Sequence, residues 1–201
     1  MSSSTDSERP YHHGNLRQAL LDAAFELLAT RPAAQLSLRE VARAAGVSHA
    51  APYHYFADRD SLLKAVSTEC LRRFLGAQQD AVARATAPRE RLLALGLAYV
   101  GFAHQQPNAF ALVFDAQLCP PGQPNAESAP LIAANEALLR DCVTALRPTD
   151  GPPDASGDAL GAALWGTVHG LAQLVMGGHL PMDGVAPALR ALLGQGTLDR
   201  A

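Results

Sequence analysis

The sequence predicts an all-α protein of about nine helices, with an N-terminal three-helix helix-turn-helix domain and a larger helical bundle. Three observations lead there. The chain is 48% hydrophobic and only 5% aromatic, with Ala and Leu dominant and β-branched runs scarce, a composition that favours helix over sheet. Apolar residues recur at helical spacing from Leu16 to Leu28 and again from Leu62 to Phe74. Between them, Leu36 to Phe56 carries the punctuation of two short helices joined by a tight turn.

The first helix is expected from Asn15 to Ala29, with Leu16, Ala19, Leu20, Ala23 and Leu27 on one face. Leu21, Phe25 and Leu28 widen that face, and Pro32 breaks the helix. Ser37 can cap the next helix, with Glu40 three residues on, as a capping box requires. Val41, Ala42 and Ala45 form a narrow apolar face that lets another helix approach closely. Gly46 can take the left-handed conformation that ends this helix. Val47 then plugs the corner, and Ser48 can cap a second short helix that exposes His49, His54 and two tyrosines. Pro52 costs that helix a hydrogen bond, but near the first turn the helix should survive. After Phe56, the segment Ala57 to Asp60 supplies an acidic start for a fourth helix. Its stripe is Leu62, Leu63, Val66, Cys70 and Phe74, and no breaker appears before Pro88. The first domain is placed at residues 11–74, after a Ser-rich, disordered arm at 1–10.

Beyond Pro88 the pattern changes. Arg89 to His104 is apolar nearly all round, as expected of a helix inside a bundle. A short helix restarts at Pro107, a Pro- and Gly-rich loop spans Pro120 to Asn125, and another helix runs from about Ala129 to Leu146. After a second loop, Pro148 to Gly157, the last helices are Ala159 to Met176 and Val185 to Leu193.

Charge and cysteines narrow the function. The net charge is −3, so the whole chain is no generic polyanion binder. Residues 1–75 carry nine Lys/Arg against eight Asp/Glu, and the remainder seven against eleven. The slightly basic end is the one with the helix-turn-helix. Cys70, Cys119 and Cys142 show no Cys-x-x-Cys pairing, which suggests neither a disulfide framework nor zinc. A reduced, cytoplasmic setting fits, and the N-terminus is no secretory signal. Ala159 to Gly178 has the length of a membrane span, but Thr167, His169 and Gln173 within it favour a buried helix. His104, His169 and His179 with Cys119, Cys142 and Asp115 have no metal-ligand or nucleophile spacing, and no phosphate loop occurs. Neither catalysis, a metal nor a cofactor is expected.

Tyr11-His12-His13-Gly14-Asn15-Leu16-Arg17, Gly46-Val47-Ser48, and Tyr53-His54-Tyr55-Phe56 followed by Asp58-Arg59-Asp60-Ser61-Leu62-Leu63 resemble the TetR family of bacterial transcriptional regulators. Trp165-Gly166-Thr167-Val168-His169-Gly170 resembles the ligand-domain signature of its WHG subgroup. The resemblance implies a repressor that binds a palindromic DNA operator as a homodimer and releases it on binding a small effector. It places DNA contacts at Ser37, Arg39, Ser48, His49, Ala50, Ala51, Tyr53, His54, Tyr55 and Arg59. Arg39 could reach a guanine edge, which its fork matches. Ala50 and Ala51 offer methyl contacts, and the tyrosine hydroxyls and Arg59 phosphate contacts. Tyr53 or Tyr55 could equally be a core residue. Residues 75–201 become the effector and dimerisation domain. Tyr99, Phe102, Phe110, Phe114, Trp165 and His169 are its candidate pocket groups, suited to an apolar or aromatic ligand. Leu164, Val168, Leu171 and Val175, with Leu189 and Leu192 on the next helix, are the candidate dimer face; they could instead face the chain's own core. The helix from Pro107 to Phe114 resembles the family element that relays ligand binding to the DNA-binding domain. A helical ligand-binding or adaptor protein without DNA binding remains the alternative. It gives no reason for an aromatic tail beside a capped turn.

Overall fold

The computed structural model describes residues 13–146 and 155–194. The expected arm at 1–10, the Tyr11-His12 opening and most of the Pro148–Gly157 loop lie outside them. Among the described residues there are eight α-helices, three short 3-10 helices and no strand. The helices are α1 (His13–Leu28), α2 (Leu38–Ala44), α3 (Arg59–Ala83), α4 (Pro88–Gln105), α5 (Pro107–Val113), α6 (Ala129–Thr144), α7 (Ala155–Met176) and α8 (Val185–Gly194). The count falls one short of nine at the recognition segment.

On α1 the buried positions are Leu16, Leu20, Leu21, Ala24, Phe25 and Leu28, so the face is turned slightly from the expected one and Ala19, Ala23 and Leu27 are only half-buried. Ser37 caps α2 as expected: its Oγ accepts the Glu40 N–H at 3.3 Å. The Glu40 carboxylate accepts from the Ser37 hydroxyl at 2.9 Å and from Arg31 at 3.0 Å, so it binds the start of the helix from both sides. Gly46, at φ +70, makes the turn, and the Val47 N–H reaches back to the Ala42 carbonyl at 3.0 Å.

The second short helix is a 3-10 helix, Ala51–His54, not an α-helix. Pro52 is buried there and has no N–H to donate. Its carbonyl accepts the Tyr55 N–H at 2.9 Å, and Ala50 accepts that of Tyr53 at 3.2 Å, the three-residue spacing of a tighter helix. Ser48 contributes its backbone carbonyl, bonded by the Ala51 N–H at 3.0 Å; no side-chain hydrogen bond caps the segment.

Asp58 and Ser61 form a full capping box on α3, with bonds of 2.8 and 3.1 Å. Those Ser61 bonds hold the Asp58 carboxyl below its ordinary range. Arg59 departs from expectation. Its Nε donates to the Leu36 carbonyl at 2.8 Å and its Nη2 to those of Ala33 and Ala34 at 2.9 Å. The guanidinium thus spends three of its five N–H donors fastening α3 to the 3-10 turn Ala33–Gln35 that precedes α2, a role the sequence did not indicate. Further along α3, buried Glu69 accepts from Arg72 and, at 2.9 Å, from Arg73. Arg73 lies 4.1 Å over the Phe25 ring and also pairs with Asp22, both on α1.

Helix α3 continues without interruption through residue 74, where the first domain was expected to end, and becomes the first helix of the bundle. Phe74 stands edge-on to Tyr99 and Phe102 of α4 at 4.9 and 5.2 Å, and to Phe110 of α5 at 5.9 Å. Helix α4 packs along α3 on one side and α7 on the other. Its Gly96 permits this: a Cβ there would lie 3.0 Å from Leu189 and 3.3 Å from Val168. A second apolar cluster joins Val82, Leu92, Leu95, Cys142, Val143, Leu164 and Leu193.

Replacing Arg59 by Ala should lower stability by about 1.5–3 kcal/mol, because three carbonyls lose a charged donor; urea unfolding measures this, and unchanged stability would contradict the fastening role. Alkaline pH should also destabilise the fold. Burial raises the Cys70 thiol from 9.0 and the Tyr99 hydroxyl from 10.0, each to about 12. The unfolded chain releases both protons first, so stability is complete below about pH 9 and falls as pH rises towards about 12. Tyr99→Phe should flatten the upper part of that fall in unfolding measured across the window.

Candidate nucleic-acid interface and ligand cavity

The helix-turn-helix presents a compact set of exposed groups. Arg39 is exposed on α2, and Ser48, His49, Ala50, Tyr53 and His54 are exposed along the recognition turn. Tyr53 is 54% exposed. Tyr55 is different: it is half-buried, packs on the domain core and lies 6.4 Å from the Phe56 ring. Ala51 is half-buried too, which leaves Ala50 as the better placed methyl. Ser37 is engaged as a helix cap and Arg59 as a carbonyl clasp. Arg43 is a cation missed in the sequence. It is exposed on α2 four residues after Arg39, one turn along the same face, and that spacing was the signal.

Helix α5 joins this domain to the bundle. Asn108 donates its amide N–H to the Leu28 carbonyl at the end of α1, at 2.8 Å. At the other end of α5, the Leu112 carbonyl accepts from buried Ser67 of α3 at 3.1 Å. Between them Phe110 lies 5.5 Å from Tyr99 and is stacked 5.7 Å from His169. A second bridge is the ion pair of Arg17 on α1 with Glu127 ahead of α6, at 3.0 Å.

The candidate pocket residues divide into two groups. Tyr99 and Trp165 line a narrow cavity of about 50 Å³ between α3, α4, α6, α7 and α8. Phe110, Phe114 and His169 instead form a packed aromatic group beside it, and Phe102 packs on Phe74. The Tyr99 hydroxyl links the two: it lies 2.9 Å from His169 Nδ1 and accepts from the Trp165 indole at 3.3 Å. Burial keeps that hydroxyl protonated, whereas the indole bond acts the other way. The cavity walls are otherwise leucines of α4, α6, α7 and α8, with Gly96, Val168 and two amides, Gln78 and Asn135. Neither amide was singled out in the sequence. Gln78 could have been, since it interrupts the buried stripe Leu71, Phe74, Leu75, Val82 of α3.

The candidate dimer residues are likewise split. Leu164, Val175 and Leu189 are buried within the chain's own core, and Val168 and Leu171 are half-buried against it. These five are held by intrachain packing, and three of them have no surface left to offer. Leu192 is 37% exposed, and Trp165 and Leu174, at 50% and 45%, join it on the outer side of α7 and α8. Gly166 and Gly170 meet nothing within 4 Å, which places them on this open side as well. The stretch Gly157–Met176 is long and apolar enough to cross a membrane, yet it packs on α4 and α6 in the bundle. Only 17% of it is buried. Among the described residues no group of three or more His, Cys, Asp or Glu could hold a metal ion.

Comparison with known proteins accounts for both halves. Residues 20–66 match the model of the bacterial regulatory proteins of the tetR family, and residues 92–194 the tetracyclin repressor-like C-terminal domain. The regulator BetI of Rhizobium meliloti is 39% identical over 83 residues, covering 39% of each chain. BetI of Brucella anthropi is 34% identical over 79 residues, 39% of this chain and 41% of that one; the match thus spans about two-fifths of these curated relatives. Over nearly the whole length, a protein of unknown function from Rhodococcus sp. RHA1 is 36% identical, with a TM-score of 0.77 over 94% of this chain and 98% of that one. A TetR-like regulator from the same organism, 22% identical, shares the fold at a TM-score of 0.63 over 92% of this chain and 100% of that one. These matches decide against a helical adaptor without a DNA role and against an enzyme. The chain belongs to the TetR family of bacterial regulatory proteins.

Proposed function

We propose that the protein is a ligand-responsive repressor that acts in the cytoplasm, binds a palindromic operator as a homodimer, and releases it when a small neutral effector enters the cavity. The double attachment of α5 is the observation that carries this. One end holds the last carbonyl of α1, and its middle carries Phe110 into the aromatic group around Tyr99 and His169. A ligand that displaces Tyr99 or Trp165 therefore moves an element bonded to the DNA-binding domain. A cavity of about 50 Å³ holds a few waters and is far below the volume of an ordinary ligand site, so occupation must push its walls apart.

In the operator complex Arg39 reads a guanine through its two acceptors, with His49 and the Ala50 methyl reading neighbouring bases. Tyr53, His54, Ser48 and Arg43 contact the backbone or groove. Few cations are available per subunit, so binding depends on two half-sites and varies modestly with salt. The dimer forms through the exposed side of α7 and α8, around Trp165, Leu174 and Leu192, which leaves an apolar surface uncovered in the single chain.

Footprinting on the DNA upstream of the protein's own gene tests the assignment: two protected half-sites are expected, and no protection there or at any palindrome in a selection from random DNA would overturn it. Arg39→Ala should cost about 1–3 kcal/mol of preference for the operator over a base-substituted operator. Equal discrimination by the variant and the wild type would remove Arg39 from base readout. In sedimentation at micromolar concentration the wild type should run as a dimer and Leu174→Glu as a single chain of 21.1 kDa; a wild-type monomer would refute the interface.

A further inference from the structure

Resting on that reading, we infer that the effector presents a neutral hydrogen-bond donor and acceptor side by side, as a carboxamide does, to the free amide groups of Gln78 and Asn135, with its apolar body along the leucines of α4 and α8.

Gln78 is 2% exposed and stands on α3 among the buried apolar residues Leu71, Phe74, Leu75 and Val82. An amide in such a place is costly unless its polar atoms are satisfied. Its nitrogen donates to the Phe74 carbonyl at 3.3 Å and to Asn135 Oδ1 at 3.0 Å. A backbone carbonyl can only accept, so the Phe74 bond fixes which end of the Gln78 amide is nitrogen. Both its hydrogens are then committed. Gln78 Oε1 and Asn135 Nδ2 have no hydrogen-bond partner among the described residues, and both side chains line the cavity. One acceptor and one donor thus remain uncommitted on two cavity-lining side chains that are themselves joined by a hydrogen bond. The ligand group that satisfies both must supply a donor and an acceptor in its turn.

The rest of the lining sets the remaining properties. No charged side chain borders the cavity, and an ion placed there would lose its water without gaining a counter-charge. The ligand head is therefore neutral. Tyr99 does not compete for it, because its hydroxyl is already engaged with His169 and Trp165. The enclosed space fits only the head of such a molecule, while its tail runs along Leu92, Leu95 and Leu189 as they are pushed apart.

Trp165 is the one tryptophan in the sequence and lines the cavity, so its fluorescence reports occupation in the full-length protein. Three probes of matched length separate the possibilities: hexanamide, the isosteric methyl pentyl ketone, which lacks the donor, and hexanoate, which is charged at neutral pH. Hexanamide should bind about tenfold or more tightly than the ketone, since a site built for a polar group rejects the analogue that lacks it. Hexanoate should bind more weakly than either. Gln78→Met and Asn135→Leu should each bring hexanamide and the ketone to within about threefold of one another while operator binding persists. Equal binding of hexanamide and ketone to the wild type, or tightest binding of hexanoate, would overturn the inference and leave ligand-responsive repression standing. Absence of any fluorescence response to hexanamide would also overturn it. Failure to bind operator DNA, with hexanamide still selected, would instead strike the repressor reading alone.

Discussion

The edge-on packing of Phe74 against Tyr99, Phe102 and Phe110 is the contact on which the two halves of the molecule depend. It belongs to a helix of 25 residues whose first turn is clasped by Arg59 to the helix-turn-helix and whose last turns border the cavity. Aromatic rings packed edge to face constrain one another's orientation as well as their spacing. A tilt of Tyr99 is therefore felt at Phe74 and Phe110 together. Because α3 runs through both halves without a break, the domains share one core more than they share a linker. Signals between them travel through packed side chains and have no flexible joint to cross.

The same economy appears in how polar groups are used. Ser37 and Glu40 spend their hydrogen bonds on the start of α2, Asp58 and Ser61 on the start of α3, and Arg59 on the 3-10 turn between α1 and α2. Helices of seven residues are unstable alone, and the DNA-binding half contains α2 together with two 3-10 segments shorter still. Caps and clasps replace the length these elements lack. What remains for DNA is a handful of exposed side chains on a frame that is rigid for its size.

Much of this was legible in the sequence because it is local. The Ser37 and Asp58 caps, the Gly46 turn and the start of α4 at Pro88 follow from residues within a few positions of each other. The misplacements are all tertiary. Arg59 reaches carbonyls 23 to 26 residues away, which no spacing rule encodes. Pro52 tightened the recognition turn to a 3-10 helix because its ring is buried as well as lacking an N–H. On α7 the helical period correctly gathered Leu164, Val168, Leu171 and Val175, but one stripe of spacing four, three, four describes a face and not its neighbour; it turned to α4 and α6, and the residues one step round the helix, Trp165 and Leu174, were left outside. Gln78 was hidden for a related reason. A single amide in a leucine stripe reads as noise until Asn135, 57 residues on, is brought against it.

The shortness of α5 has a mechanical consequence. Its seven residues make a rod about 10 Å long, bonded to α1 near one end and to α3 near the other. A shift of about 1 Å at one end turns such a rod by roughly 6°. A long helix given the same push would hardly rotate. Since Asn108 grips the last carbonyl of α1, the proposed switch would deliver that rotation to the end of the helix that covers the helix-turn-helix.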